Sequence, residues 1–258
     1  MLKRVQPWRH LAAIIGLSLL SAYPASAADD AAALIRKQQD RMRADRNVGT
    51  YTMEIVRPGW RRSLRLKSWD DRPGKRFFIH ILAPEKERDT TFLKTGGNLW
   101  MYKPKLERDF KIPPSMMLNS WMGSDFSNDD LVKASSIIDD YSHRILKREG
   151  SGAHERITIE SVPKPDAPVV WGKLVTELHP DGTPLAQEFY DEAGTAVKRL
   201  RFSEVKTLGG RTLPTRWQMA TLAEPGSETV MTIDEIAFDS AIPASMFQRD
   251  RLSRPRAR

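Results

Sequence analysis

The chain has 258 residues, no cysteine, 40% hydrophobic and 29% charged residues, and a formal net charge of +8. That length can bury a sizeable core in one large domain or two small ones, and the apolar content is too high for a disordered chain. The missing cysteine excludes disulfide scaffolds, thiolate metal sites, cysteine nucleophiles and a lipid anchor on an N-terminal cysteine.

Residues 1–27 read as an export signal. Lys3, Arg4 and Arg9 form a basic start, Leu11 to Leu20 an apolar run, and Ala25-Ser26-Ala27 a small-x-small cleavage pattern. The run is too short to span a bilayer, which takes about 20 residues. The mature chain is expected to begin near Ala28, with a folded domain over 28–248 and a basic, solvated, disordered tail over 249–258. Three basic residues fall in the signal, and residues 248–258 hold five Arg against one Asp, so 28–247 is nearly neutral. A nucleic-acid partner loses its support, because phosphate binding needs a patterned basic face on the fold.

Residues 29–46 place Leu34, Ile35, Gln38 and Met42 on one helical face, with acids first and basic residues last. This predicts an amphipathic helix ending before Gly49. From Tyr51 the period changes to two, as in Leu64 and Leu66 alternating with Ser63, Arg65 and Lys67. Phe77 to Leu82 is apolar on both faces, so something must cover its second side. Asn98 to Tyr102 behaves similarly. Further strands are expected near 143–148, 154–161, 169–179, 185–191, 196–206, 211–221 and 228–238, separated by turn residues such as Pro180-Asp181-Gly182 and Gly209-Gly210. A short helix is expected at Ser127 to Leu131, with Ser127 or Asn128 as cap. The sum is mainly β with a few helices (α+β): ten or eleven antiparallel strands in one large, strongly curved meander, with helices resting on it.

No catalytic constellation has adequate spacing. Gly-x-Ser-x-Gly, His-Glu-x-x-His and a phosphate-cradling glycine loop are all missing. His80, His143, His154 and His179 are scattered, and read as strand-surface residues. Asp125, Asp129 and Asp130 invite a calcium site, but the EF-hand glycine and closing glutamate are missing, and helix capping is the simpler role. No metal, cofactor or catalytic residue is expected. What stands out is Leu99 to Leu131, which holds Trp100, Met101, Tyr102, Phe110, Ile112, Met116, Met117, Leu118, Trp121, Met122 and Phe126 around Pro113-Pro114. Methionine recurs at surfaces that accept variable apolar partners. These residues either form such a surface or plug the end of a barrel-like sheet; composition leaves both open.

The runs SLRLKSWDD, KRFFIHILAPEKERDTTFLK, NLWMYKPKLERDFKIPPSMM and SWMGSDFSNDDLVKAS, spanning about residues 60 to 141, resemble the outer membrane lipoprotein-sorting protein family. That family is a branch of the LolA/LolB-like periplasmic lipoprotein carrier superfamily. The resemblance implies an incomplete antiparallel barrel, lidded by helices around an apolar cavity for acyl chains. It implies a soluble periplasmic carrier that acts as a transport chaperone and delivers a lipoprotein or lipid toward the outer membrane. Implied partners are the acyl chains, a resistance-nodulation-division (RND) type inner-membrane transporter and an outer-membrane acceptor. The missing cysteine selects the soluble carrier over the anchored receptor. The resemblance assigns no binding residues; from apolar content and location, Trp100, Tyr102, Phe110, Met116, Met117, Trp121 and Met122 are expected to line or lid the cavity. The alternative is a non-carrying accessory protein of an RND-type transporter, its tail at 249–258 touching headgroups or an acidic partner. A cell-envelope hydrolase would need a cleft with convergent titratable groups.

Overall fold

The computed structural model describes residues 25–133 and 137–255, so nearly all of the export signal, and 256–258, lie outside the described residues. Helix α1 (Ala25–Met42) opens the structure. It ends earlier than its periodicity predicts because the sheet takes over. The Ala44 amide donates to Asn47 Oδ1 at 3.0 Å, and Arg46 already pairs with Asp71.

Strands β1 (Arg46–Arg57), β2 (Trp60–Asp71), β3 (Arg76–Ala83), β4 (Thr91–Thr95), β5 (Asn98–Lys103) and β6 (Arg108–Lys111) form one arm of a meander. After two short helices, α2 (Asn128–Lys133) and α3 (Ile137–Asp140), the second arm follows. It comprises β7 (Tyr141–Glu149), β8 (Arg156–Pro163), β9 (Lys173–Leu178), β10 (Pro184–Tyr190), β11 (Ala196–Leu208), β12 (Arg211–Thr221) and β13 (Glu228–Phe238). All thirteen strands join one curved antiparallel sheet that is not closed into a barrel. The first arm runs outward from β1 to the edge β6, the second inward from the edge β7 to β13, and β13 pairs with β1. The sequence signals miss β4 and β6, which have only five and four residues and too little alternation to register.

Register assigns each side chain a face. Trp69, Phe78, Leu93 and Trp100 are successive cross-strand partners and therefore share one face. Their neighbours Ile79, Phe92, Met101 and Phe110 share the other. The second face carries the main core, with Met53, Ile55, Leu64, Leu66, Phe77, Ile81 and Leu99. A further cluster under α1 joins Ala31, Leu34 and Ile35 to Ile157, Ile159, Leu174, Leu178 and Met219.

The first face is covered by the C-terminal segment, through two short 3-10 turns at Ala244–Phe247 and Arg249–Ser253. Met246, Phe247 and Leu252 are buried there against Phe78 and Leu93, with Trp69, Trp100 and Tyr102 packed around them. Thr91 Oγ1 donates to the Leu252 carbonyl at 2.8 Å. This corrects the solvated tail expected from residue 249. Arg249 lies over the Trp100 ring, 3.8 Å from its centroid, and binds Asp109 at 2.7 Å. Charge counting missed it because one leucine and one guanidinium, placed on exposed aromatic surface, outweigh the repulsion among the arginines.

Phe247→Ala should therefore destabilise the fold by about 3–5 kcal/mol, read as a lowered urea midpoint. A change below about 1 kcal/mol, the size of an ordinary surface substitution, would show that this segment merely rests on the sheet.

Candidate functional site

Because β6 and β7 are the two edges of the sheet, the chain from 112 to 140 must pass from one edge to the other. It does so over the face carrying the main core. Trp121 is 1% exposed and meets Phe92 edge-on at 5.5 Å, while Met117, Met122, Phe126, Leu131 and Val132 pack around the same cluster. The crossing is self-braced: the Trp121 amide donates to the Phe126 carbonyl at 2.7 Å and the Asp129 amide to the Met117 carbonyl at 2.8 Å. The reversal needs left-handed backbone at Met122 (φ 54°) and Gly123 (φ 76°). Ser127 and Asp130 then start α2 as a reciprocal cap, with Asp130 N to Ser127 Oγ at 3.1 Å and Ser127 N to Asp130 Oδ2 at 2.8 Å. The capping expected at Ser127 is present.

Polar contacts from six strands hold the crossing down. Asp125 is buried and accepts hydrogen bonds from Arg57 at 2.9 Å, Thr221 at 2.9 Å and Thr229 at 2.6 Å. Arg62 donates to the Met122 carbonyl. Lys94 donates to the Val132 carbonyl at 2.6 Å and Lys198 pairs with Asp130 at 3.1 Å. The acids that invited a calcium reading thus include a clasp, Asp125, and a cap, Asp130. Among the described residues, no group of three or more His, Asp or Glu is placed to hold a metal ion.

Beneath the crossing and α1 lies a cavity of about 330 Å³, at the lower end of the range of about 300–1,000 Å³ for small-molecule sites. Its wall draws on both arms: Leu66, Phe77 and Ile79 from the first, Leu174, Phe189, Leu200, Trp217, Met219 and Met231 from the second. Trp121, Phe126 and Leu131 roof it from the crossing, and Met42 closes it from α1. Its polar lining includes Arg43, Asp70, Tyr51 and Asn47, and also Gln38, Gln39, Ser68, Asp129, Asp130 and Gln187. Burial, then the Asp70 charge, push the Tyr51 hydroxyl up to about 12, so it stays protonated. Burial, then Asp129, Asp140 and Asp130, likewise push the Tyr141 hydroxyl up.

Of the seven residues expected at the site, Trp121 lines the cavity, and Met117 and Met122 pack beside it. Trp100 and Tyr102 instead face the C-terminal segment on the opposite side of the sheet. Leu99 and Met101 take the core side, so strand alternation sends their neighbours outward. Phe110, on the edge strand, and Met116 are exposed. The wall residues of the second arm escaped notice because each is one apolar position in an ordinary alternating strand.

The histidines do not converge. His80 pairs with Asp89 at 2.8 Å on the first arm, His143 Nδ1 lies 2.8 Å from Ser161 Oγ on the second, and His179 bonds the Glu155 carbonyl at 2.8 Å. Burial, then Lys164 and Arg36, lower the His143 imidazole to about 4.

An open antiparallel sheet wrapped around an apolar cavity defines the LolA-like open-barrel class, and comparison with solved structures agrees. A DUF1329 family protein from Desulfovibrio piger superposes with a TM-score of 0.78 at 21% identity, covering 88% of this chain and 99% of that one. A protein described as an outer membrane lipoprotein-sorting protein domain, from Vibrio parahaemolyticus, gives 0.72 at 23% identity over 88% and 99%. A LolA superfamily protein from Nitrosomonas europaea gives 0.72 at 19% identity over 85% and 98%. No curated protein matches the chain. The chain belongs to the DUF1329-like family, described as uncharacterized protein, whose model matches residues 74–254.

Two measurements test the site. Asp125→Asn leaves Arg57 facing a neutral amide, and should cost about 2–4 kcal/mol while raising amide exchange over 116–129 more than elsewhere; uniform protection across that loop would show that Asp125 does not hold it. His143 stays neutral in the fold but charges in the unfolded chain. No stability is lost above the ordinary histidine value near 6.5; below it the unfolded state binds the extra proton, and about 1–3 kcal/mol goes between pH 6.5 and 4. His143→Gln should flatten that part of the urea-midpoint profile; an unchanged slope would place the titrating group elsewhere.

Proposed function

We propose that this protein is a periplasmic carrier that holds an acyl chain of a lipid or lipoprotein in the cavity and delivers it toward the outer membrane. The observation that carries the reading is the cavity itself. Its wall is apolar over most of its area, comes from both arms of one sheet, and is roofed by a segment clasped at its rim. Each methylene moved from water into such a space contributes about 0.8 kcal/mol, so shielding one chain is a large driving force.

In this reading residues 1–27 direct export and are removed, and the mature chain is one domain. Trp121 touches the cargo, while Met117 and Met122 keep the roof deformable. Release requires the 112–133 crossing to lift, and its polar contacts to β1, β2, β4, β11, β12 and β13 are the ones that must part. No catalytic step is proposed. The donor is an RND-type transporter or the inner-membrane leaflet, and the acceptor lies at the outer membrane. The accessory reading drew on the arginine-rich end, and Arg249 is occupied by Asp109 and Trp100. That favours the carrier.

Protein purified from its native periplasm should carry lipid detectable by native mass spectrometry, and the lipid-free form should take up a fluorescent fatty acid. Leu200→Trp, which fills the wall on β11, should reduce uptake at least tenfold with little loss of secondary structure. Lipid-free protein that takes up no fatty acid at all would remove the carrier reading.

A further inference from the structure

A wall meant only for hydrocarbon has no use for charge, because a polar group loses its hydration there. The lining of this cavity nevertheless holds Arg43, Asp70, Tyr51 and Asn47 as neighbours. Arg43 follows directly on α1, where the helix carbonyls favour a cation. Asp70 and Asn47 are register partners on β2 and β1.

The ion pair between Arg43 and Asp70 is incomplete. Arg43 Nε and Nη2 both donate to one oxygen, Asp70 Oδ2, at 3.2 and 2.5 Å. A guanidinium and a carboxylate that satisfy each other fully use two oxygens in a fork. Arg43 Nη1 is buried with no hydrogen-bond partner among the described residues. A buried donor without an acceptor is destabilising, and more so on a charged group.

Two neutral donors stand beside it. Tyr51 keeps its hydroxyl proton, and Gly49 lets the ring lie back along β1: a Cβ there would come within 2.8 Å of Tyr51 Oη. Asn47 Oδ1 is taken by the Ala44 amide at 3.0 Å, which leaves the side-chain NH2 for another partner. A guanidinium N–H, a phenol and an amide in the lining of a mostly apolar pocket together match one chemistry, an anionic head on an apolar tail.

We propose that Arg43, Tyr51 and Asn47 bind the anionic headgroup, carboxylate or phosphate, of a single-chain amphiphile whose tail fills the apolar part of the cavity. This rests on the carrier reading and names the class of cargo that the site selects. Asp70 keeps the guanidinium at the wall, and a turn of the guanidinium toward the cavity brings the headgroup to Nη1, which otherwise lacks an acceptor. The two neutral donors complete the headgroup's hydrogen bonds, so no second cation is needed.

The mature protein, freed of lipid, would be titrated with oleate, oleoyl lysophosphatidate and methyl oleate, followed by tryptophan fluorescence, to which Trp121, Trp171 and Trp217 in the wall contribute. Both anions should bind at least tenfold more tightly than the ester, and the tighter of the two names the headgroup. Arg43→Met should bring the anions to within threefold of the ester. The double variant Arg43→Met with Asp70→Asn, which leaves no unpaired buried carboxylate, should behave alike. Equal binding of all three ligands, or an anion preference that survives both variants, overturns the headgroup site and leaves the carrier standing. Failure of all three to bind overturns both.

Discussion

A sheet that curls without closing keeps two edges, and in this chain consecutive strands occupy them. β6 ends the first arm and β7 begins the second, so the connection between them has to span the open side of the sheet. Nearly everything else about the candidate site follows from that. The roof of the cavity is simply the shortest way for the chain to get from one arm to the other. Its apolar residues face inward because both arms present core side chains there, and Phe126 packs against the core clusters of both.

The same constraint explains how the roof is held. A crossing loop cannot pair along its length with a strand, so its backbone groups need other partners. It bonds to itself between Met116 and Asp129, and takes side-chain donors from the strands below. Arg57 with Asp125 and Lys198 with Asp130 are part-buried ion pairs, each with further hydrogen bonds from threonine or serine groups. Such pairs fix geometry more than they add stability, because the desolvation of both ions offsets their attraction. A roof held by specific polar contacts over a mostly apolar cavity has one well-defined position.

Much of the fold was legible in the residues. Period-two alternation located eleven of the strands, the face-sharing of Leu34, Ile35, Gln38 and Met42 located α1, and Ser127 was legible as a cap. The run from Phe77 to Leu82, apolar on both faces, correctly demanded a cover for its second side. The site was legible only in part. Trp121 lies at the cavity, with Met117 and Met122 in the same crossing. Trp100 and Tyr102 lie in the same stretch, but one-residue alternation within β5 puts them on the other side of the sheet.

The sequence by itself determined the class of structure, since hydrophobic period and turn chemistry are local properties that survive without knowledge of what they pack against. It also set the near-neutral body between charged ends. Only the tertiary structure decided which of the two faces of the sheet became the cavity wall, what covered the other, and that the arginine-rich end contributes a buried leucine. It alone brought Arg43, just past α1, beside Asp70 at the end of β2 and Tyr51 on β1. Those residues are far from any motif. Curvature and strand register are properties of the whole sheet, and they bring distant positions into the lining of one cavity.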